Sequence, residues 1–248
     1  AVGVQALNAN TTAHYNTAVG QAALTLNTTG AGNTAIGNNT LAANTTANYN
    51  TSVGYSALAA NTTGTNGVAI GKGALAANTT TSSNVAVGYL ALTTNTGGSN
   101  NIAIGDRSLT LTTSGGNNVS IGAYAMDANT TGGNNVAAGH NALSANTTGG
   151  NNTAVGYGVM AANTTGGHNI AIGFNTLIAN TTASNNVAVG QAAMAATTTG
   201  ATNTALGNAA LTTQTTGNNN IAVGQNALNV LTTGTYNIAM GNNAGLSI

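Results

Sequence analysis

Residues 149–167 read GGNNTAVGYGVMAANTTGG. The phrase Asn-Thr-Ala-Val-Gly, then a hydrophobic residue four places after the Gly, then Asn-Thr-Thr-Gly, returns along the whole chain. Its glycine serves as a marker. Gly3, Gly20, Gly37, Gly54, Gly71, Gly88, Gly105, Gly122, Gly139, Gly156, Gly173, Gly190, Gly207, Gly224 and Gly241 follow one another at 17-residue steps, with no insertion or deletion. A helix pair needs about 30 or more residues per repeat, so this period is too short for a helical solenoid. Asn, Thr, Gly and Val are also poor helix formers. The period therefore predicts an all-β fold, a parallel β-solenoid with one 17-residue coil per repeat and about 14 coils. No leucine-rich L-x-x-L-x-L pattern and no Asp-bearing calcium-binding repeat is present.

Composition bounds the function. The 248 residues are 42% hydrophobic and only 2% charged, against roughly 25% charged in ordinary domains. Lys72, Arg107, Asp106 and Asp127 are the whole charged inventory, and the net charge is zero. Such a chain offers no electrostatic footprint for nucleic acid or anionic lipid. No apolar run approaches the ~18 residues of a membrane span. Without cysteine there is no disulfide framework or thiol nucleophile. Without proline every backbone N–H remains available to ladders between coils. The chain opens within a repeat, as expected for a mature or excised segment, and residues 1–248 read as a single array with an irregular last coil at 242–248, where Gly245 stands in place of Leu.

Stacking converts each repeat position into a column. The position before the marker is aliphatic except at Ala138, and the position four after it is Leu or Met in every full coil. These are the expected core columns, represented by Val19, Ile36, Val53, Val155 and Ile172 and by Leu24, Leu41, Leu58, Met160 and Leu177. Three before the marker, Thr17, Thr34 and Thr153 alternate with Val85, Ile102 and Ile170, a β-branched column also expected to point inward. Two before the marker, only Ala or Ser occurs: Ala18, Ala35, Ser52, Ala69, Ala86, Ala103, Ser120 and onward. Period-2 geometry sets it on the opposite face from its neighbours. A solvated face would accept longer side chains, so this column predicts lateral packing against another copy or layer. Recent duplication of the repeat is the alternative, although the column after the marker varies freely (Tyr55, Lys72, Asp106, His140, Phe174, Gln191).

Two polar columns remain. Four before the marker stands Asn in thirteen of fourteen coils, including Asn16, Asn33, Asn50, Asn84, Asn101, Asn118, Asn135 and Asn152, interrupted by Gly67. An Asn ladder is expected there. Eight after the marker stands Thr in all fourteen coils, from Thr11 to Thr232, within an Asn-Thr-Thr-Gly corner whose Gly is expected to accept positive φ. Asn10, Asn27, Asn44, Asn61, Asn78, Asn129, Asn146, Asn163 and Asn180 each begin an Asn-Thr-Thr sequon, a glycosylation site in a host that uses them. Stacked at about 4.8 Å, fourteen steps make a rod of roughly 67 Å.

Catalysis is not expected. General acid–base chemistry needs titratable groups close together. His14, His140 and His168 fall in variable turn columns, and Asp106 and Asp127 in different ones. No catalytic, cofactor-binding or metal constellation assembles. The seven Tyr and Phe174 fall mostly beside the marker or before the Asn column, where they cover coil edges.

The segments NNIAIG (100–105), NNVAVG (185–190) and NNIAVG (219–224) resemble the head repeat of trimeric autotransporter adhesins. The NTAVG…AL…NTTG arrays are similar to those of bacteriophage tail-fibre and related surface-fibre proteins. The resemblance implies a left-handed parallel β-roll with three chains abreast, at a cell or virion surface. The repeat here is longer, more regular and less charged than in adhesin heads. A non-enzymatic rod in an extracellular fibre, adhesin or tail fibre is the expected function, with other copies of itself as partners, a host surface receptor as a further one, and no cofactor. A filament subunit stacking end to end is the alternative. A further one is ice recognition by the Thr column, although ice-binding solenoids present two parallel outward Thr columns and these Thr residues are adjacent.

Overall fold

The computed structural model describes residues 1–246; Ser247 and Ile248, the last two residues of the expected irregular coil, lie outside the described residues. The chain is an all-β parallel solenoid without helix among the described residues, and it divides into two compact units, Ala1–Ala123 and Tyr124–Ile248. In the first unit the strands are β1 (Thr17–Val19), β2 (Thr34–Ile36), β3 (Thr51–Val53), β4 (Val68–Ile70), β5 (Val85–Val87), β6 (Ile102–Ile104) and β7 (Val119–Ile121). In the second they are β8 (Val136–Ala138), β9 (Thr153–Val155), β10 (Ile170–Ile172), β11 (Val187–Val189), β12 (Thr204–Leu206), β13 (Ile221–Val223) and β14 (Ile238–Met240). Within each unit a strand pairs in parallel with its sequence neighbour, residue against residue at one coil's distance: Thr17 faces Thr34 and Ala18 faces Ala35, as Ile170 faces Val187 and Ala171 faces Ala188.

The interior differs from the expectation in which strand face it takes. Every strand has its middle residue buried and its two flanking residues turned outward. Ala18, Ala35, Ser52, Ala69, Ala86, Ala103 and Ser120, expected to pack laterally against another layer, are at most 1% exposed inside their own coils. Val19, Ile36, Val155 and Ile172, expected in the core, are 36–41% exposed, and Val53 is half-buried. The β-branched column that begins each strand is outward as well, with Ile102 and Ile170 exposed. Alternation correctly separated the two faces; aliphatic character pointed to the wrong one. The reason is the thinness of the coil. Leu24, Leu41, Leu58, Met160 and Leu177, all at most 1% exposed, come from the opposite wall and fill the interior. Against them the strand has room only for Ala or Ser. Beside the large residues runs another buried column, mostly Ala, that the sequence had not singled out, such as Ala23, Ala57 and Ala74, all at 0%, with Val159 its bulkiest member.

The wall that carries Leu and Met is laddered without being a strand. Leu24 N–H donates to Thr40 O at 3.1 Å and Leu26 N–H to Ala42 O at 3.1 Å, both in the next coil, while Ala22 N–H donates back to Val4 O at 2.9 Å. The wall alternates in hand, with positive φ at Ala22 (56°) and Leu24 (52°), and again at Asn39 (57°) and Leu41 (48°). Leucine disfavours this region by about 1–2 kcal/mol. Complete burial and an inter-coil hydrogen bond hold it there.

The Asn-Thr-Thr-Gly corner is closed by convergence on one oxygen. Thr28 N–H (2.9 Å), Thr29 N–H (3.2 Å), Gly30 N–H (3.3 Å) and the Thr28 hydroxyl (3.1 Å) all donate to the Thr45 carbonyl of the next coil. The second unit repeats this at Thr130, Thr131 and Gly132 against Thr147 O. The glycine's expected positive φ is absent. Gly30 eases a crowded corner, since a Cβ there would lie 2.6 Å from Asn27 Oδ1 and 2.9 Å from Asn44 Nδ2, although Ala13, Ala47, Thr81 and Ala183 hold the same position in other coils. Positive φ falls instead beside the other Asn column, at Tyr15, Tyr49, Asn117 and Asn151.

Candidate functional site

Two asparagine columns line the interior corners, and their geometry differs. In the column before the strands, the side chain serves mainly the backbone, with amide-to-amide bonds beside it at some steps, as from Asn118 Nδ2 to Asn101 Oδ1 (3.1 Å) and Asn169 Nδ2 to Asn152 Oδ1 (3.1 Å). Asn33 N–H donates to Asn16 Oδ1 (2.8 Å) and Asn50 N–H to Asn33 Oδ1 (2.9 Å), while Asn33 Nδ2 reaches Ala47 O (2.8 Å) and Asn50 Nδ2 reaches Gly64 O (2.9 Å). Asn84, Asn101 and Asn118 continue it in the first unit, Asn135 and Asn152 in the second. Gly67 is tolerated because its own N–H still finds Asn50 Oδ1 at 2.8 Å.

The second column, seven after the marker, forms the amide-to-amide ladder. Asn27 Nδ2 donates to Asn10 Oδ1 (3.0 Å), Asn44 Nδ2 to Asn27 Oδ1 (2.8 Å) and Asn163 Nδ2 to Asn146 Oδ1 (2.8 Å). Each Nδ2 also donates within its coil, as from Asn27 to Gly30 O at 3.0 Å. These are the sequon asparagines. Asn27, Asn44, Asn61, Asn129, Asn146, Asn163 and Asn180 are fully buried, and Asn78 is 2% exposed. A glycan on Nδ2 of these residues is incompatible with the folded coil, so these sequons are interior structure and not a glycosylated edge; Asn10, in the first coil, is half-buried.

Ionisable and aromatic side chains lie outside. His140 stacks on Tyr157 (centroids 5.4 Å apart, planes 7° apart), Tyr157 on Phe174 (5.4 Å, 12°), and Tyr124 meets His140 edge-on at 6.0 Å. In the first unit Lys72 Nζ lies 5.8 Å and the Arg107 guanidinium 5.9 Å from the Tyr89 ring centre. Parallel stacking at coil pitch turns ring faces toward one another and ring edges toward solvent. No group of three or more His, Cys, Asp or Glu able to hold a metal ion exists among the described residues. His14 touches only the edge of Tyr15 as a ring neighbour. A shallow groove of about 320 Å³ runs over Ala22, Leu26, Asn39, Ala43 and Ala59 without a titratable group in it.

In both units the outer strand face carries exposed aliphatic side chains. Ile36, Ile70, Ile104 and Ile121 are 38–44% exposed in the first unit, and Ile170, Ile172, Leu206 and Ile221 are 38–43% exposed in the second. No charged residue occurs in any strand. Exposed apolar surface that is contiguous rather than scattered marks an interaction site. Its polar counterpart, the invariant Thr column, is half-buried except at Thr11, Thr96, Thr113 and Thr232, with hydroxyls donating to carbonyls one coil on, as from Thr45 to Thr62 O (3.2 Å) and Thr164 to Thr181 O (3.0 Å).

No protein-family model, curated protein or solved structure matches the chain. Among the described residues no helix is long and apolar enough to cross a membrane.

Proposed function

We propose that this chain is a non-enzymatic structural element, a rigid rod segment of an extracellular fibre, adhesin or phage tail fibre at a cell or virion surface. In this reading it associates side by side with other copies of itself, three abreast as the head-repeat resemblance implies. The observation that carries the reading is the uncharged aliphatic face of the strands. Several features favour copies of the same chain as its cover. Each coil repeats the same two outward columns, so a second copy matches the first at coil pitch. The chain has zero net charge and four charged side chains in all, so nothing on it opposes close approach. Within each unit rigidity follows from the ladders, since successive coils are tied through the strand and the Leu wall and, at most steps, through the asparagine corners.

Light scattering after size exclusion tests the association. The chain is expected to elute as a trimer, with Ile70→Asp and Ile172→Asp lowering its mass while circular dichroism keeps the β signature. A monomer at tens of micromolar, or variants of unchanged mass, overturns the side-by-side reading. Negative-stain images are expected to show discrete rods; long filaments would favour end-to-end stacking instead.

A further inference from the structure

The amide ladder is interrupted in the second unit, and the interruption has the geometry of a binding site. From Asn129 onward the Nδ2 groups of Asn146, Asn163 and Asn180 each donate to the Oδ1 one coil earlier, up to Asn180 Nδ2 on Asn163 Oδ1 at 2.7 Å. The next residue in the column is Thr197. Threonine has no amide, and its Oγ1 donates the other way, to Gln214 O at 3.2 Å. Asn180, fully buried, is left with an Oδ1 that meets no donor among the described residues. Gln214 does not restore the column: its Nε2 turns to Gly217 O (2.5 Å) and Asn203 Oδ1 (3.2 Å).

A second observation marks the same spot. Elsewhere the corner carbonyl accepts two side-chain amides, as Gly30 O does from Asn16 (2.7 Å) and Asn27 (3.0 Å) and Gly166 O from Asn152 (2.9 Å) and Asn163 (3.1 Å). In the Thr197 coil this carbonyl is Gly200 O, which receives Asn186 Nδ2 at 2.9 Å; the amide that would supply the second bond does not exist. A Cβ built on Gly30, Gly149 or Gly166 would meet the ladder amide oxygen of its own coil at 2.5–2.6 Å. One built on Gly200 would meet only the backbone of Thr216 and Gly217 as its nearest neighbours.

We propose that one buried water molecule occupies the position of the missing amide beside Thr197, donating one hydrogen to Asn180 Oδ1 and the other to Gly200 O. Water suits the site because both partners are acceptors and the absent NH2 group is a double donor. Buried waters are found where otherwise unpaired polar groups converge. A bound water leaves the ladder hydrogen-bonded through the break.

A crystal structure of the whole chain at about 1.5 Å is expected to show an ordered water within hydrogen-bond distance of both oxygens. A dry site, or a Thr197 rotamer donating to Asn180, overturns the proposal. Thr197→Asn restores the residue that ten coils carry in this column. By oxygen-17 magnetic relaxation dispersion the variant is expected to hold one fewer long-lived water than the parent; an equal count overturns the proposal.

Discussion

The Thr40 hydroxyl lies 2.5 Å from the Ser52 hydroxyl, at the centre of a coil and out of contact with solvent. Both also reach Ala57 O, at 3.2 and 2.9 Å. Ser52 and Ser120 are the serines of a column that is otherwise Ala, and Ser120 has the same arrangement, with Ser108 Oγ donating to it at 2.8 Å. A hydroxyl enters the Ala column where the facing column supplies another twelve residues earlier. Thr40→Ala and Ser52→Ala are each expected to destabilise the chain by about 1–2 kcal/mol, because each removes a partner from a buried hydroxyl. Thr40→Ala with Ser52→Ala is expected to lose less than the sum of the two single changes, since the double change recreates the common coil. Denaturant titration of the four proteins measures the coupling.

The inversion of core and surface predicts an unusual tolerance pattern. Ala86 is fully buried and Ile70 is 40% exposed. Ala86→Leu is expected to destabilise by about 1–3 kcal/mol through overpacking. In dilute solution, below the association range, Ile70→Thr is expected to stay within about 0.5 kcal/mol of the parent. Thermal melts decide between this and the opposite ranking, which hydrophobicity alone would give.

The marker glycine is needed for both conformation and space. Gly54 has φ +131°, and a Cβ there would lie 2.7 Å from the Gly71 carbonyl oxygen. Gly54→Ala is expected to cost about 2–5 kcal/mol, combining backbone strain with a clash against unyielding main chain. The loss is read from the midpoint of urea unfolding.

Asn61 sits mid-ladder, donating to Asn44 Oδ1 (3.2 Å) and Gly64 O (2.9 Å) and accepting from Asn78 Nδ2 (3.0 Å). Asn61→Ala takes one hydrogen bond from each of three partners and is expected to destabilise by about 2–3 kcal/mol. Thr63, exposed two residues on, is expected to tolerate Ala within about 0.5 kcal/mol. Comparing the two melting temperatures tests whether the corner is held from inside.

Ice recognition by the invariant Thr column is expected to fail. Most of those hydroxyl protons are committed to carbonyls, as from Thr28 to Thr45 O and Thr147 to Thr164 O. A thermal-hysteresis measurement on the whole chain is expected to show no gap between melting and freezing.

The 17-residue step alone determined the coil, the parallel pairing of like with like, and the alternation that sets Ala18 against Thr17 and Val19. Those follow from periodicity, because identical residues repeated at a constant interval can stack only in register. The tertiary structure decided which side of the alternation is inside. That choice depends on how far apart the two walls stand, and the inward reach of Leu24 and Leu41 from the opposite wall leaves space for a methyl group but not for Val or Ile. It also decided the left-handed backbone at Leu24 and the amide ladder through Asn27, Asn44 and Asn61. A leucine and a sequon carry no local signal for either; only the neighbouring coil, supplying a carbonyl or an amide at hydrogen-bond distance, makes them favourable.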